Sequence, residues 1–124
     1  MIRLTAMLRR NPALSAAEFH AHWCDVHGPL VRSVPGVDRW VARYEQHPRV
    51  ADRAGSWTGS EGFDGVAVQW FGSLDRVEAM IRDPGYRRIV GPDERHLLDL
   101  ERSVYLLTDE PRVIIGGSSS DRSP

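Results

Sequence analysis

Three histidines and a cysteine, His20, His22, Cys24 and His27, crowd into one segment, Ser15 to Pro35, SAAEFHAHWCDVHGPLVRSVP. A neutral imidazole takes or gives a proton near pH 7, and a cavity wall tunes how readily it does so. His27 is the first candidate for such chemistry, because Gly28-Pro29 follows it. Proline removes a backbone donor and disfavours helical geometry at the residue before it, so the side chain there can turn into a pocket. The other reading is a histidine that bonds a carbonyl freed by Pro29. Tyr44 is the second candidate: a phenol can donate to a substrate oxygen or pair with His27, or serve as a core aromatic with its hydroxyl satisfied. Around this pair the expected cavity wall is Phe19, Trp23, His20, Trp40, Trp70 and Asp93.

Metal binding is argued against by the spacing. His20 and His22 point about 200° apart on a helix at about 100° per residue. His20 and His27 share a flank but stand roughly 10 Å apart along the axis. No metal is therefore expected. Asp93, Glu94, His96 and Asp99 form a polar cluster in which Asp93 either orients a histidine or, with the rest, caps and fixes a loop. Cys24 reads as a nucleophile paired with histidine or as a small packing residue. Arg9-Arg10 and Arg87-Arg88 read as solvated faces, and Trp57 as a lid over the pocket or an anchor.

The elements that must position these residues follow from local pattern. Ile2 to Arg9 alternates and predicts a strand. Ser15 with Glu18 forms a capping box that starts a helix, and Phe19, Trp23, Val26 and Leu30 make its expected buried stripe, with Ala16 and Val34 near it. On that helix His20, Cys24 and His27 lie along one flank and His22 along the other. Val37 to Gln46 predicts a second strand, with Trp40, Ala42 and Tyr44 on one face and Val37, Val41 and Arg43 on the other. Arg49 to Phe63 predicts a long loop. Asp64 to Phe71 predicts a third strand, with Val66, Val68 and Trp70 opposite Ala67, Gln69 and Phe71. Ser73 caps a second helix ending near Arg82, with Leu74, Val77, Met80 and Ile81 buried. Tyr86 to Leu98 predicts short helical turns interrupted by Gly91-Pro92. Glu101 to Thr108 predicts a last strand, with Val113 to Ile115 a candidate extension.

The resulting order is β-α-β-β-α-β, the ferredoxin-like α+β pattern: a four-stranded antiparallel sheet with helices on one face. The uncovered face carries Val, Trp and Leu, so a homodimer packing sheet on sheet is expected, the alternative being a monomer with an amphipathic outer face. The chain of 124 residues predicts one domain over 1–116 and a disordered tail over 117–124. A hydrophobic fraction of 41%, a charged fraction of 27% and a net charge of −1 fit a soluble protein and argue against nucleic-acid or membrane partners. One cysteine and the lack of a signal-like or membrane-length apolar run point to the cytoplasm. No Gly-rich phosphate loop is present, so no cofactor is expected.

Arg9 to Val31, RRNPALSAAEFHAHWCDVHGPLV, resembles the opening of EthD-domain proteins, with its Pro-x-Leu-Ser-x-x-Glu-Phe segment, a Trp and then His-x-Pro as His27-Gly28-Pro29. Arg43–Gln46, Asp64–Phe71 and Pro92 through Asp99 resemble later segments of that family in the right order. The resemblance implies a dimeric α/β-barrel. Similar barrels include cofactor-free polyketide cyclases, quinone-forming monooxygenases, lactone isomerases and haem-handling enzymes, and fold does not choose among them. Three functions are therefore carried forward. The first is an enzyme acting on an apolar cyclic or polyketide-like molecule by His27 and Tyr44 acid–base chemistry, as a cyclase, dehydratase, isomerase or oxygenase. The second is a binding or accessory protein of an oxidoreductase system such as an ether-degrading monooxygenase. The third is a haem-handling barrel.

Overall fold

Alternating apolar residues build the first strand, β1 (Ile2–Leu8). In the computed structural model residues 1–50 and 62–117 are described. Trp57, most of the expected 49–63 loop, and the expected tail beyond Gly117 lie outside the described residues. After β1 come helix α1 (Ala16–His22), a π-helical turn (Trp23–His27) and helix α2 (Gly28–Ser33). Strands β2 (Val41–Pro48) and β3 (Gly65–Phe71), helices α3 (Leu74–Arg82) and α4 (Pro84–Leu97), and strand β4 (Val104–Thr108) complete the order. The four strands form one antiparallel sheet in the order β2-β3-β1-β4. This is the expected ferredoxin-like α+β arrangement.

The capping box at Ser15 is present: the Ser15 hydroxyl accepts from Glu18 N, and Glu18 accepts from Ser15 N at 2.8 Å. The helix it starts is not uniform. Gly28 N–H donates to the Trp23 carbonyl five residues back, so the chain widens to a π turn before α2. The widening shifts the buried face from the 3.6-residue stripe to a four-residue step: Phe19, Trp23, His27 and Val31 are buried. Val26, expected in the core, is 45% exposed. His22 and His27, expected on opposite flanks, are brought to the same partner, whereas His20 and His27 part company. Cys24 is exposed rather than packed.

Other departures have local causes. Residues Val37–Arg39 form a 3-10 turn instead of the start of β2, and a bulge at Ala42 shifts register between Val41 and Arg43. Val41 and Tyr44 therefore share the helix-covered face, opposite to simple alternation. The expected turns after Tyr86 are one continuous helix. Asp83 caps it, accepting from Tyr86 N at 2.9 Å, and Pro84 stands in its first turn. Pro92 is tolerated inside α4 because the carbonyl four residues back belongs to Arg88, whose exposed position lets water replace the lost donor. Leu74 and Ile81 are half-exposed, and only Val77 and Met80 of that stripe are buried. Val113 to Ile115 forms no strand.

Three apolar clusters hold helices to sheet. Phe19 and Trp23 pack on Ala6, Leu8, Leu97 and Leu98; Phe71 packs on Val77 and Met80; Val31 and Val34 join Val90. Gly65 admits the Trp23 ring: a Cβ there would lie 2.6 Å from two of its atoms and 3.1 Å from the His47 carbonyl oxygen. Arg10, expected as a solvated face, instead donates to buried Asp64 at 2.6 Å, and Arg9 lies over the Phe63 ring.

Candidate active site

Between the helix-covered face of the sheet and helices α3 and α4 lies a cavity of about 640 Å³. That is room for a multi-ring organic molecule. Its floor is apolar, formed by Leu4, Ala6 and Leu8 of β1 together with Trp23. Tyr105 and Leu107 of β4 also line it but stay exposed, because no helix covers this edge strand.

His27 is 6% exposed and lines the cavity. Its Nδ1 is 2.8 Å from Oδ2 of Asp93, which also holds His22 Nε2 at 2.6 Å through Oδ1. A carboxylate accepts, so Asp93 fixes a proton on Nδ1 of His27 and leaves Nε2 as the free base. Partial burial pushes the Asp93 carboxyl up, but the hydrogen bonds from His22 and His27 outweigh it and hold it below the ordinary aspartate range. His96 packs edge-on against His22 behind this pair.

Tyr44 lines the same cavity. Gln46 Nε2 donates to its hydroxyl at 3.1 Å and to the Trp23 carbonyl at 2.9 Å, tying strand β2 to the π turn. The hydroxyl accepts from Gln46, so its own proton remains for a ligand oxygen. Burial raises the Tyr44 pKa, with Gln46 and Trp23 pulling part of the way back and Glu94 adding to the rise. Burial likewise pushes up Tyr86, whose neighbours Glu94 and Tyr44 add to the effect, and Tyr105 beside Glu94. The wall therefore carries one imidazole base among phenols that keep their protons.

The structure brings His27, Tyr44 and Trp23 to the cavity and not the rest of the expected wall. Phe19 is fully buried in the core beneath Trp23. His20 packs its ring edge on Phe19. Trp40 wedges between two core clusters at the start of β2. Trp70 lies on the outer face of the sheet beneath Arg3 and Arg43, as the period of two along β3 requires. Asp93 stands behind His27, where it meets imidazoles and no cavity. Gln69, Tyr86 and Glu94 also line the cavity, though local pattern does not mark them for it. Of these only Glu94 has a signal in the chain, as a member of the Asp93, Glu94, His96 and Asp99 polar cluster. Among the described residues, no three histidine, cysteine or acidic side chains converge as metal ligands would.

Asp93 fixes the orientation of the His27 ring through this bond. Asparagine at 93 keeps one acceptor oxygen and puts an amide donor in place of the other, so the two histidines cannot both donate to it and one must change tautomer. Asp93→Asn is expected to lower turnover about 100-fold, within the span of general acid–base effects. The ¹⁵N spectrum should report loss of the single Nδ1–H form of His27, a change that mere loosening of the fold would not produce. Because the folded-state Asp93 pKa is depressed, its stabilising contribution is full above the ordinary aspartate range and is lost as pH falls through the folded value. The variant should lack that acid limb.

With this geometry in place, comparison with known proteins is informative. The EthD domain family model matches residues 11–101. The chain belongs to the EthD domain family. The dehydratase ustZ of Ustilaginoidea virens is 24% identical over 119 residues, spanning 90% of this EthD-domain chain and 85% of the relative. An EthD family protein from Bacillus halodurans shares the fold at 18% identity and a TM-score of 0.65, covering 90% of this chain and 99% of its own. A dimeric ferredoxin-like protein of unknown function from Bacteroides fragilis superimposes with a TM-score of 0.64 at 10% identity, covering 88% of this chain and 95% of its own. At such identities the structural likeness speaks for the fold alone. No described helix of this EthD-domain chain is long and apolar enough to cross a membrane.

Proposed function

We propose that this EthD-domain protein is an enzyme that eliminates water from a β-hydroxy ketone on an apolar, polyketide-like ring system, with its own side chains carrying the proton transfers. The observation that carries this reading is the buried His27, anchored through Nδ1 on Asp93 and facing an apolar cavity shared with the Tyr44 hydroxyl. His27 Nε2 takes the proton α to the ketone. Tyr44 donates to the ketone oxygen as enolate charge develops, and the low-dielectric wall strengthens that bond. Among cyclisation, dehydration, isomerisation and oxygenation, dehydration is favoured by the relative named a dehydratase.

A direct test uses 3-hydroxy-1-tetralone, a two-ring β-hydroxy ketone that loses water and enolises to fluorescent 1-naphthol. Purified protein is expected to accelerate naphthol formation well above a buffer and imidazole control. Saturable binding of the ketone with no acceleration would replace the enzyme by a carrier of small apolar molecules.

The working unit under this proposal is a homodimer joined through the outer face of the sheet. Met7, Val104 and Leu106 stand on that face at 37%, 52% and 62% exposure, an apolar surface with nothing over it in the single chain. The ferredoxin-like protein from Bacteroides fragilis is also dimeric. Val68 is central on this face, paired with Thr5 and Glu45. Sedimentation velocity should give twice the chain mass, and Val68→Asp should give the chain mass by burying a charge at the joint. A monomeric wild-type protein at micromolar concentration would refute the arrangement.

A further inference from the structure

Glu94 follows Asp93 on α4 but lines the cavity, and the bonds to His22 and His27 go to Asp93 alone. Among the described residues no hydrogen bond or ion pair holds its side chain, and its oxygens are not sealed from open space. The titratable and charged groups around it come from every neighbouring element: Tyr44 on β2, Tyr105 on β4, and Tyr86, Arg87, Asp93 and Arg95 on its own helix, with His27 on the same cavity wall. Its charge is felt by all three tyrosines, which places it amid the phenols of the cavity. A half-buried carboxyl without a partner costs stability unless it stays protonated or meets a ligand. The elimination above, meanwhile, supplies a base and an oxyanion donor but leaves the departing hydroxyl without a proton.

We infer that Glu94 is the proton donor of the cavity, handing its proton to the β-hydroxyl while His27 takes the α-proton. This rests on the elimination reading. The C–H electron pair becomes the new C=C bond, the C–O pair leaves with the hydroxyl, and the Glu94 proton completes a water molecule. His27 then gives the α-proton back to Glu94 through solvent, and both groups return to their starting states. Burial pushes the Glu94 carboxyl above the ordinary glutamate range; Arg95 opposes the shift and the Asp93 carboxylate adds to it. A carboxylic acid so held keeps its proton closer to neutral pH, as a general acid must.

The test compares two probes. 3-Hydroxy-1-tetralone must lose hydroxide and needs an acid; 3-acetoxy-1-tetralone loses acetate and does not. Glu94→Gln is expected to slow loss of water about 100-fold and loss of acetate by less than about tenfold, whereas His27→Ala slows both. In ¹³C spectra of glutamate-labelled wild-type protein, one carboxyl should titrate above the others and be missing from Glu94→Gln. Equal loss on both probes, or a Glu94 carboxyl titrating with the others, overturns the inference while leaving the base in place. Wild-type protein that eliminates acetate but not water also overturns it, and protein that eliminates neither removes the elimination reading with it. Stability provides a further check on folding. A raised folded-state pKa means stability is full below the ordinary glutamate range and falls as pH rises through the raised value, a limb that Glu94→Gln should lack.

Discussion

His27→Ala is expected to leave about a thousandth of wild-type turnover on a β-hydroxy ketone, with KM changed only a few-fold. The imidazole lies on the cavity wall with Nδ1 committed to Asp93, so Nε2 is the one nitrogen placed to receive a substrate proton. No other group there can replace it. The phenols are held in their protonated forms by burial, and the Glu94 carboxyl is pushed in the same direction. Losses of 10²–10⁴-fold are typical for a general base. They appear in kcat because the base acts only as the transition state forms. A thermal melt should accompany the kinetics, since removing a buried ring opens a void. His27→Gln, which keeps a donor toward Asp93 while lacking a base, should lose a similar amount of turnover with less effect on the melt. Turnover within threefold of wild type in both variants would exclude His27 from the reaction.

Trp23→Ala is expected to cost about 3–5 kcal/mol of folding stability, the range for removing a large buried aromatic. A small domain has about 5–15 kcal/mol in total, so the midpoint of urea unfolding should fall by a large fraction. The ring is 1% exposed, stacks on Phe19 at 5.4 Å and lies against Gly65, where no side chain could share the space. It also forms part of the cavity floor. Its removal would merge a core void with the cavity and loosen the π turn that carries His27. Ligand binding should weaken along with the fold, in contrast to His27→Gln. A loss of less than about 1 kcal/mol would mean that the ring is not packed as described.

Much of the fold is legible in the chain because its signals are short-range. The capping box at Ser15, the alternation along β1 and β3, and the Ser73 cap each depend on residues two to four positions apart, and each is realised. The order of these elements is enough to specify the ferredoxin-like sheet. His27 and Tyr44 also stood out from local pattern, by a helix-weakening Gly-Pro and by a strand face. That they share one cavity depended on which face of the sheet the helices cover, which alternation alone does not say.

What the tertiary structure alone decided is how the helix is phased and who answers His27. A π turn exchanges an i+4 bond for an i+5 bond, and local propensity hardly distinguishes the two; packing of Trp23 on Gly65 and Gln46 on the Trp23 carbonyl makes the choice. That rephasing buries His27, exposes Val26, and turns His22 and His27 toward an aspartate 66 residues beyond His27. Asp93 and Glu94, neighbours in sequence, take opposite surroundings because a helix sends successive side chains about 100° apart. One meets the histidines and ionises easily; the other meets the cavity and resists ionisation. The chain by itself determined which side chains were available for chemistry, since side-chain type is local. Which of them share a solvent-poor space is a property of contacts between distant segments, and only the folded chain sets those.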